Sequence, residues 1–131
     1  MTAQLNHTIV WCHDKARSAS FLTHVLGLPD ARPFARFLVV ELDNGVSLDF
    51  ADRDSGSAPS VSHYAFLVSD EEFDAGFRRI RDAGLLWWAD PARQHPGEIN
   101  FHWGGRGFYF EDLDGNLLEL ITKPYGSEDT L

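Results

Sequence analysis

Four side chains in this sequence, His7, Asp49, His63 and Glu119, have types that suit a metal site. Two imidazoles with one or two carboxylates form a nitrogen and oxygen donor set that suits Zn, Ni, Fe or Mn. Such a set leaves positions open for a substrate or for oxygen, which separates a catalytic metal site from a structural one. Taken singly, each His reads as a packing residue on a strand and each carboxylate as an edge charge. Their equivalence in an internal repeat makes them a constellation.

The repeat emerges when His7 is placed over His63, an offset of 56. Asp14 then falls on Asp70, Ala19 on Ala75 and Phe21 on Phe77, while Gly27 meets Gly84 one residue later. Each copy closes with an Asx-Gly turn, Asn44-Gly45 and Asp114-Gly115, and Asp49 and Glu119 each stand four residues past the Gly. The offset has grown to 70 there, so the second copy carries an insertion, placed within Asp90–Gly105. Ordered matches with the same punctuation indicate duplication.

The elements that must position these residues follow from local pattern. Leu5–Cys12 is short, β-branched and apolar, as a strand should be. Asp14 is the expected N-cap of a helix over Lys15–Leu26, and Gly27 its stop. Phe37–Leu42 and Val46–Ala51 flank Asp43-Asn44-Gly45, a strong hairpin signal. Arg53–Ser60 reads as a polar linker. In the second copy Ser62–Val68 is a strand and Asp70 a cap. The helix Glu71–Ala83 presents Phe73, Phe77 and Ile80 on one face. Leu85–Ala89, Gly107–Glu111 and Leu117–Thr122 are the remaining strands. The expected fold is α+β: two βαβββ modules, about 5–52 and 61–123, pairing into a curved, cup-like mixed sheet within one domain over 1–131.

Strand side chains alternate in direction, so parity decides which residues share a face. His7, Ile9 and Trp11 lie together, as do His63, Ala65 and Leu67. Each helix must cover the sheet face with unbroken apolar runs. His7, His63, Asp49 and Glu119 then project from the opposite, cup face. Tyr109 shares that parity, and a phenol there could donate to a developing oxyanion. Trp11 either lines the pocket or fills it. Arg106 suits bidentate recognition of a substrate carboxylate. The inserted loop, with His95, Asn100, His102 and Trp103, is long enough for a lid or binding loop.

Composition narrows the function classes. The 131 residues carry 11 basic and 20 acidic side chains, a net charge of −9, which argues against nucleic acid as partner. With 44% hydrophobic residues the chain can build a core. The single cysteine, Cys12, excludes an intrachain disulfide framework and fits a reducing compartment, so a cytoplasmic location is expected. No stretch approaches the roughly 20 apolar residues of a membrane span, and the N-terminus lacks the pattern of a signal peptide.

These residues resemble the vicinal oxygen chelate superfamily of glyoxalases, bleomycin-resistance proteins, fosfomycin-resistance enzymes and extradiol dioxygenases. The likeness runs from Asn6-His7-Thr8 through Ser62-His63-Tyr64 to Leu118-Glu119-Leu120, and is most specific over Gly107–Glu119. Leu113 departs from the family's usual Pro. The resemblance implies His7, His63 and Glu119 as ligands of one divalent ion (Fe, Ni, Zn or Mn), with vicinal oxygens of a small substrate at the open positions. It makes Asp49 a fourth ligand or a base, and Tyr109 and Glu119 catalytic candidates. Substrate contacts fall to Trp11, Tyr109 and Arg106. It also implies a homodimer. Glyoxalase-like proton transfer is the expected chemistry, with an Fe(II) dioxygenase and a drug-sequestering binder as alternatives. Ile9 stands where fosfomycin enzymes have a key Thr.

Overall fold

The computed structural model describes residues 2–54 and 60–127. Most of the linker read at Arg53–Ser60, positions 55–59, lies outside the described residues. The chain divides into two compact units, Met1–Ser60 and Val61–Leu131. Each joins one helix to one mixed sheet, an α+β arrangement.

The first unit contains β1 (His7–Cys12), α1 (Lys15–Leu26), β2 (Arg32–Phe34), β3 (Phe37–Glu41) and β4 (Ser47–Asp52), with sheet order β1-β4-β3-β2. β1 and β4 are parallel, a pairing that needs a crossover, and α1 lies within it. The Asp14 carboxylate accepts from the N–H groups of Ala16 (3.1 Å) and Arg17 (3.2 Å), satisfying donors the first turn would leave bare. Gly27, at φ 66°, ends the helix in the left-handed region that favours glycine. Ala19, Leu22 and Val25 of α1 are buried, as are Val10, Val40, Leu48 and Phe50 of the sheet. Burying a side chain such as Leu22 or Phe50 is worth about 1.5–3 kcal/mol.

The Asp43-Asn44-Gly45 turn closes as its sequence requires, the Leu42 N–H donating to Val46 O at 2.8 Å. The βαβββ pattern places three strands after the helix but the sequence marks only two of them; the third is β2. Its turn to β3 is Ala35-Arg36, with Ala35 at φ 51°, and carries none of the Gly, Asn or Asp that announces a hairpin. β2 is an edge strand, where the missing N–H of Pro33 is tolerated.

The second unit contains β5 (His63–Leu67), α2 (Asp70–Asp82), β6 (Gly107–Glu111) and β7 (Leu117–Ile121), in sheet order β5-β7-β6. Its helix cap is Ser69, one residue before the expected Asp70. The Ser69 hydroxyl accepts from Glu72 N–H at 3.1 Å, and the Glu72 carboxylate accepts from Ser69 N–H at 3.0 Å, a capping box. Asp70 joins the acidic first turn, favoured by the helix dipole. Phe108 meets the ring edges of Phe73 and Phe77 at 5.3 and 5.4 Å, so the predicted helix face is the one that packs.

The strand expected at Leu85–Ala89 is reduced to an isolated bridge at Trp88, which pairs with Tyr109 and with Pro96. Pro96 has no N–H to extend a ladder, and the Asn100 side chain occupies Ala89 O at 2.9 Å instead. No helix of the described residues is long and apolar enough to cross a membrane.

Candidate functional site

Within each unit the register places the candidate residues alike. His7 pairs with Ser47, and Ile9 with Asp49, across β1 and β4. His63 pairs with Leu117, and Ala65 with Glu119, across β5 and β7. The carboxylate therefore lies one row beyond the imidazole on a central strand in both units. Burial follows parity: Val10 and Phe66 are buried, while His7 and His63 are exposed.

The second unit turns this register into a contact. His63 Nε2 lies 3.0 Å from Glu119 Oε1, and its Nδ1 lies 2.9 Å from Leu117 O. A carbonyl only accepts, so Nδ1 carries a proton, and in the neutral ring Nε2 then presents a bare lone pair to the carboxylate. Two lone pairs at 3.0 Å require a positive charge, a proton or a cation, to hold them together. Metal-bound imidazoles commonly donate their other N–H to a backbone carbonyl in this way. Ligand bonds of about 2.1 Å meeting at a right angle also put their donor atoms about 3.0 Å apart. The donor pair thus fits a divalent ion. Among the described residues, no group of three or more His, Cys, Asp or Glu side chains is gathered for one.

Glu119 is 1% exposed. Tyr125, beyond β7, donates its hydroxyl to Oε1 at 2.6 Å, and the Tyr109 hydroxyl lies 3.4 Å from that of Tyr125. The Tyr109 ring stacks on His63 at 5.9 Å. Burial, then the Tyr125 hydrogen bond and the nearby carboxylate, push the Tyr109 phenol far above its ordinary range. The Tyr109 phenol therefore keeps its proton at any physiological pH. The Tyr125 phenol is raised by burial and by its bond to Glu119. Beside these groups lies a cavity of about 190 Å³, to which the inserted loop contributes Asn100, His102 and Trp103.

The turn between β6 and β7 fixes the start of β5. Asn116 Oδ1 accepts from Ser62 N–H at 2.8 Å, and Leu117 N–H donates to Ser62 O at 3.0 Å. His63 follows immediately, so its backbone is pinned from the strand that carries Glu119.

In the first unit His7 Nδ1 lies 2.6 Å from Asn6 Oδ1, and Asp49, 8% exposed, accepts from Ser47 Oγ at 2.8 Å. Asp is one methylene shorter than Glu, and its carboxylate is engaged by its own strand. Trp11 is 36% exposed, with the Arg36 guanidinium 5.7 Å from its ring centroid. Arg106 lines the cavity, but its guanidinium donates to Asp74 (2.7 Å) and Asp70 (3.1 Å) and covers Phe73 at 4.4 Å. Those partners hold its pKa above the ordinary value, the Asp74 bond first. His95 lies 3.6 Å from Glu98 on the loop, whereas His102 borders the cavity. Tyr125 was not among the sequence candidates. It lies outside both repeats, and no pattern links it to Glu119.

Each unit is a mixed sheet backed by one helix, and in the second a buried carboxylate and an imidazole meet on the sheet's open face, which defines a small α+β protein. The chain belongs to the Glyoxalase/Bleomycin resistance protein/Dioxygenase superfamily, whose family model matches residues 4–120. It is 32% identical over 124 residues to glutathione transferase FosA of Serratia marcescens, covering 92% of this chain and 81% of that protein. Among solved structures it resembles Oxidase ChaP-H2, at 56% identity and TM-score 0.93, covering 97% of this chain and 98% of that one. Oxidase ChaP-H1 is similar at 54% identity and TM-score 0.91, covering 96% and 100%.

Proposed function

We propose that this chain is a metal-dependent enzyme that oxidises a small organic molecule, with His63, Glu119 and His7 as the ligands of one divalent ion. The observation that carries the reading is the His63–Glu119 pair, whose facing lone pairs need a positive charge between them, one that a divalent ion would supply. The identity of 56% to an oxidase over nearly the whole chain favours oxidation over glyoxalase-like proton transfer.

When bound, the ion would polarise a substrate oxygen as a Lewis acid and, if redox-active, accept or pass electrons. The other contributions come from the chain. Tyr109 keeps its proton and donates a hydrogen bond to negative charge developing on a substrate oxygen. Asp49 is the proposed base, an ionisable group whose reach is too short for the part Glu119 plays. Trp11 supplies an aromatic surface on its unit's open face. Arg106 is assigned to holding α2 rather than to the substrate. A homodimer is the proposed assembly.

The test is oxygen consumption by protein loaded anaerobically with Fe(II), then exposed to air with a panel of catechol-like compounds. Oxygen uptake that is lost in His63→Ala supports the reading. Turnover that continues under nitrogen with Zn(II) or Ni(II) supports proton transfer instead. Tight ligand binding without turnover under either atmosphere marks a sequestering protein.

A further inference from the structure

We propose that Tyr125 is a positioning residue for Glu119: its phenol fixes the carboxylate toward His63, and its ring closes the cavity beside them. The inference rests on the metal reading above. Tyr125 is 59% exposed, yet its hydroxyl reaches a carboxylate that is 1% exposed. The ring therefore stands between Glu119 and solvent. A wall alone would need only a phenyl ring; a hydroxyl at 2.6 Å from Oε1, the oxygen that faces His63, does more. Glu carries three side-chain torsions, and a donor on Oε1 restricts the last of them at the atom that matters.

Two further features hold Tyr125 in place. The backbone around it is closed by Ser127, whose N–H and hydroxyl donate to Pro124 O at 3.2 and 2.7 Å, with Gly126 at φ 79°. On its other side Trp103 approaches the ring at 6.3 Å. Trp103 stands at φ 61°, ψ 24°, in the left-handed region that bulky residues rarely adopt. Such conformations persist where the surroundings over-determine them, and they gather at ligand clamps. Trp103 comes from the inserted loop and Tyr125 from the segment after β7, so two segments outside the repeat converge on the one buried carboxylate of the second sheet.

The experiment titrates Co(II) into the metal-free full-length chain, its Tyr125→Phe variant and its His63→Ala variant, following cobalt absorption and thermal melting. Tyr125→Phe takes a hydroxyl donor from a buried carboxylate oxygen, so the metal-free variant should fold but melt below the parent, and the titrations are run well below both melting temperatures. Its Co(II) dissociation constant should rise about tenfold, within the usual effect of groups that orient a ligand, and its cobalt band should shift. If Tyr125→Phe binds Co(II) as tightly as the parent while His63→Ala loses it, the positioning role is wrong and the metal reading stands. If the parent takes up no Co(II), the metal reading fails and the positioning role falls with it.

Discussion

Asn116 and Asp112 are joined by three hydrogen bonds: Asn116 N–H to Asp112 Oδ1 (2.9 Å), Asn116 Nδ2 to Asp112 Oδ2 (2.8 Å), and Asp112 N–H to Asn116 O (3.1 Å). Asn116 is 2% exposed, and its Oδ1 takes the Ser62 N–H beside His63. Burial raises the Asp112 carboxyl above its ordinary range, and the bonds from Asn116 and Asp114 pull it back. Replacing Asn116 with Ala takes the partner from a half-buried carboxylate oxygen of Asp112 and from the Ser62 N–H at once. Urea unfolding of Asn116→Ala should show a loss of about 1–3 kcal/mol, the cost of leaving such groups unpaired.

The capping box of α2 gives a pH-dependent prediction. The Ser69 backbone N–H, then its hydroxyl, hold the Glu72 carboxyl below its ordinary range. A depressed acid contributes stability above its unfolded pKa, and that contribution is lost as pH falls through the folded value. Ser69→Ala should cost about 1 kcal/mol at neutral pH. The deficit of Glu72→Gln should be full at pH 7, begin to shrink as pH falls through about 4.3, the ordinary Glu value, and disappear only below the lower folded value, as read by thermal melts across that range.

Arg106 separates a structural role from substrate recognition. Its partners Asp70 and Asp74 are largely exposed, so each ion pair is worth about 0.2–1 kcal/mol. Its position over Phe73 adds about 0.5–1 kcal/mol. Arg106→Ala should therefore lower stability by about 1–2 kcal/mol. Its KM should stay within about twofold of the parent, because the guanidinium is already engaged. A large rise in KM without loss of stability would return Arg106 to the substrate.

Metal analysis distinguishes ligand from base. His63→Ala, Glu119→Gln and His7→Ala should lose the ion. Asp49→Asn should keep it and lower turnover by roughly two to four orders of magnitude, the usual size of a general-base contribution. Loss of metal in Asp49→Asn as complete as in the His variants would make Asp49 a ligand.

Much of this was legible because it is written in local chemistry. Asp14 before a periodic run and Gly27 after it specify a helix through backbone donors and one positive φ. Asp43-Asn44-Gly45 specifies a turn for the same reason. The duplication let His7 and His63 be weighed together, and parity then put Asp49 and Glu119 on the open face of their sheets, as the registers show. Where the local signal was absent the reading failed. The Ala35-Arg36 turn carries no turn residue, and Leu85–Ala89 looked like a strand because nothing within it says that Pro96 will be its partner.

The sequence by itself determined the family, the α+β class and the residue types available for chemistry, because periodicity, capping and repeated motifs are properties of neighbours along the chain. Only the tertiary structure decided which of those residues meet. It joined His63 to Glu119 but engaged Asp49 with Ser47, a difference of one methylene in reach. It turned Arg106 onto α2, where two carboxylates and an aromatic face outcompete open solvent. It brought Tyr125 to a buried carboxylate six residues earlier, through a turn after β7 whose geometry no periodicity describes. Contacts of that kind depend on the three-dimensional path of the chain, and spacing along the sequence does not encode them.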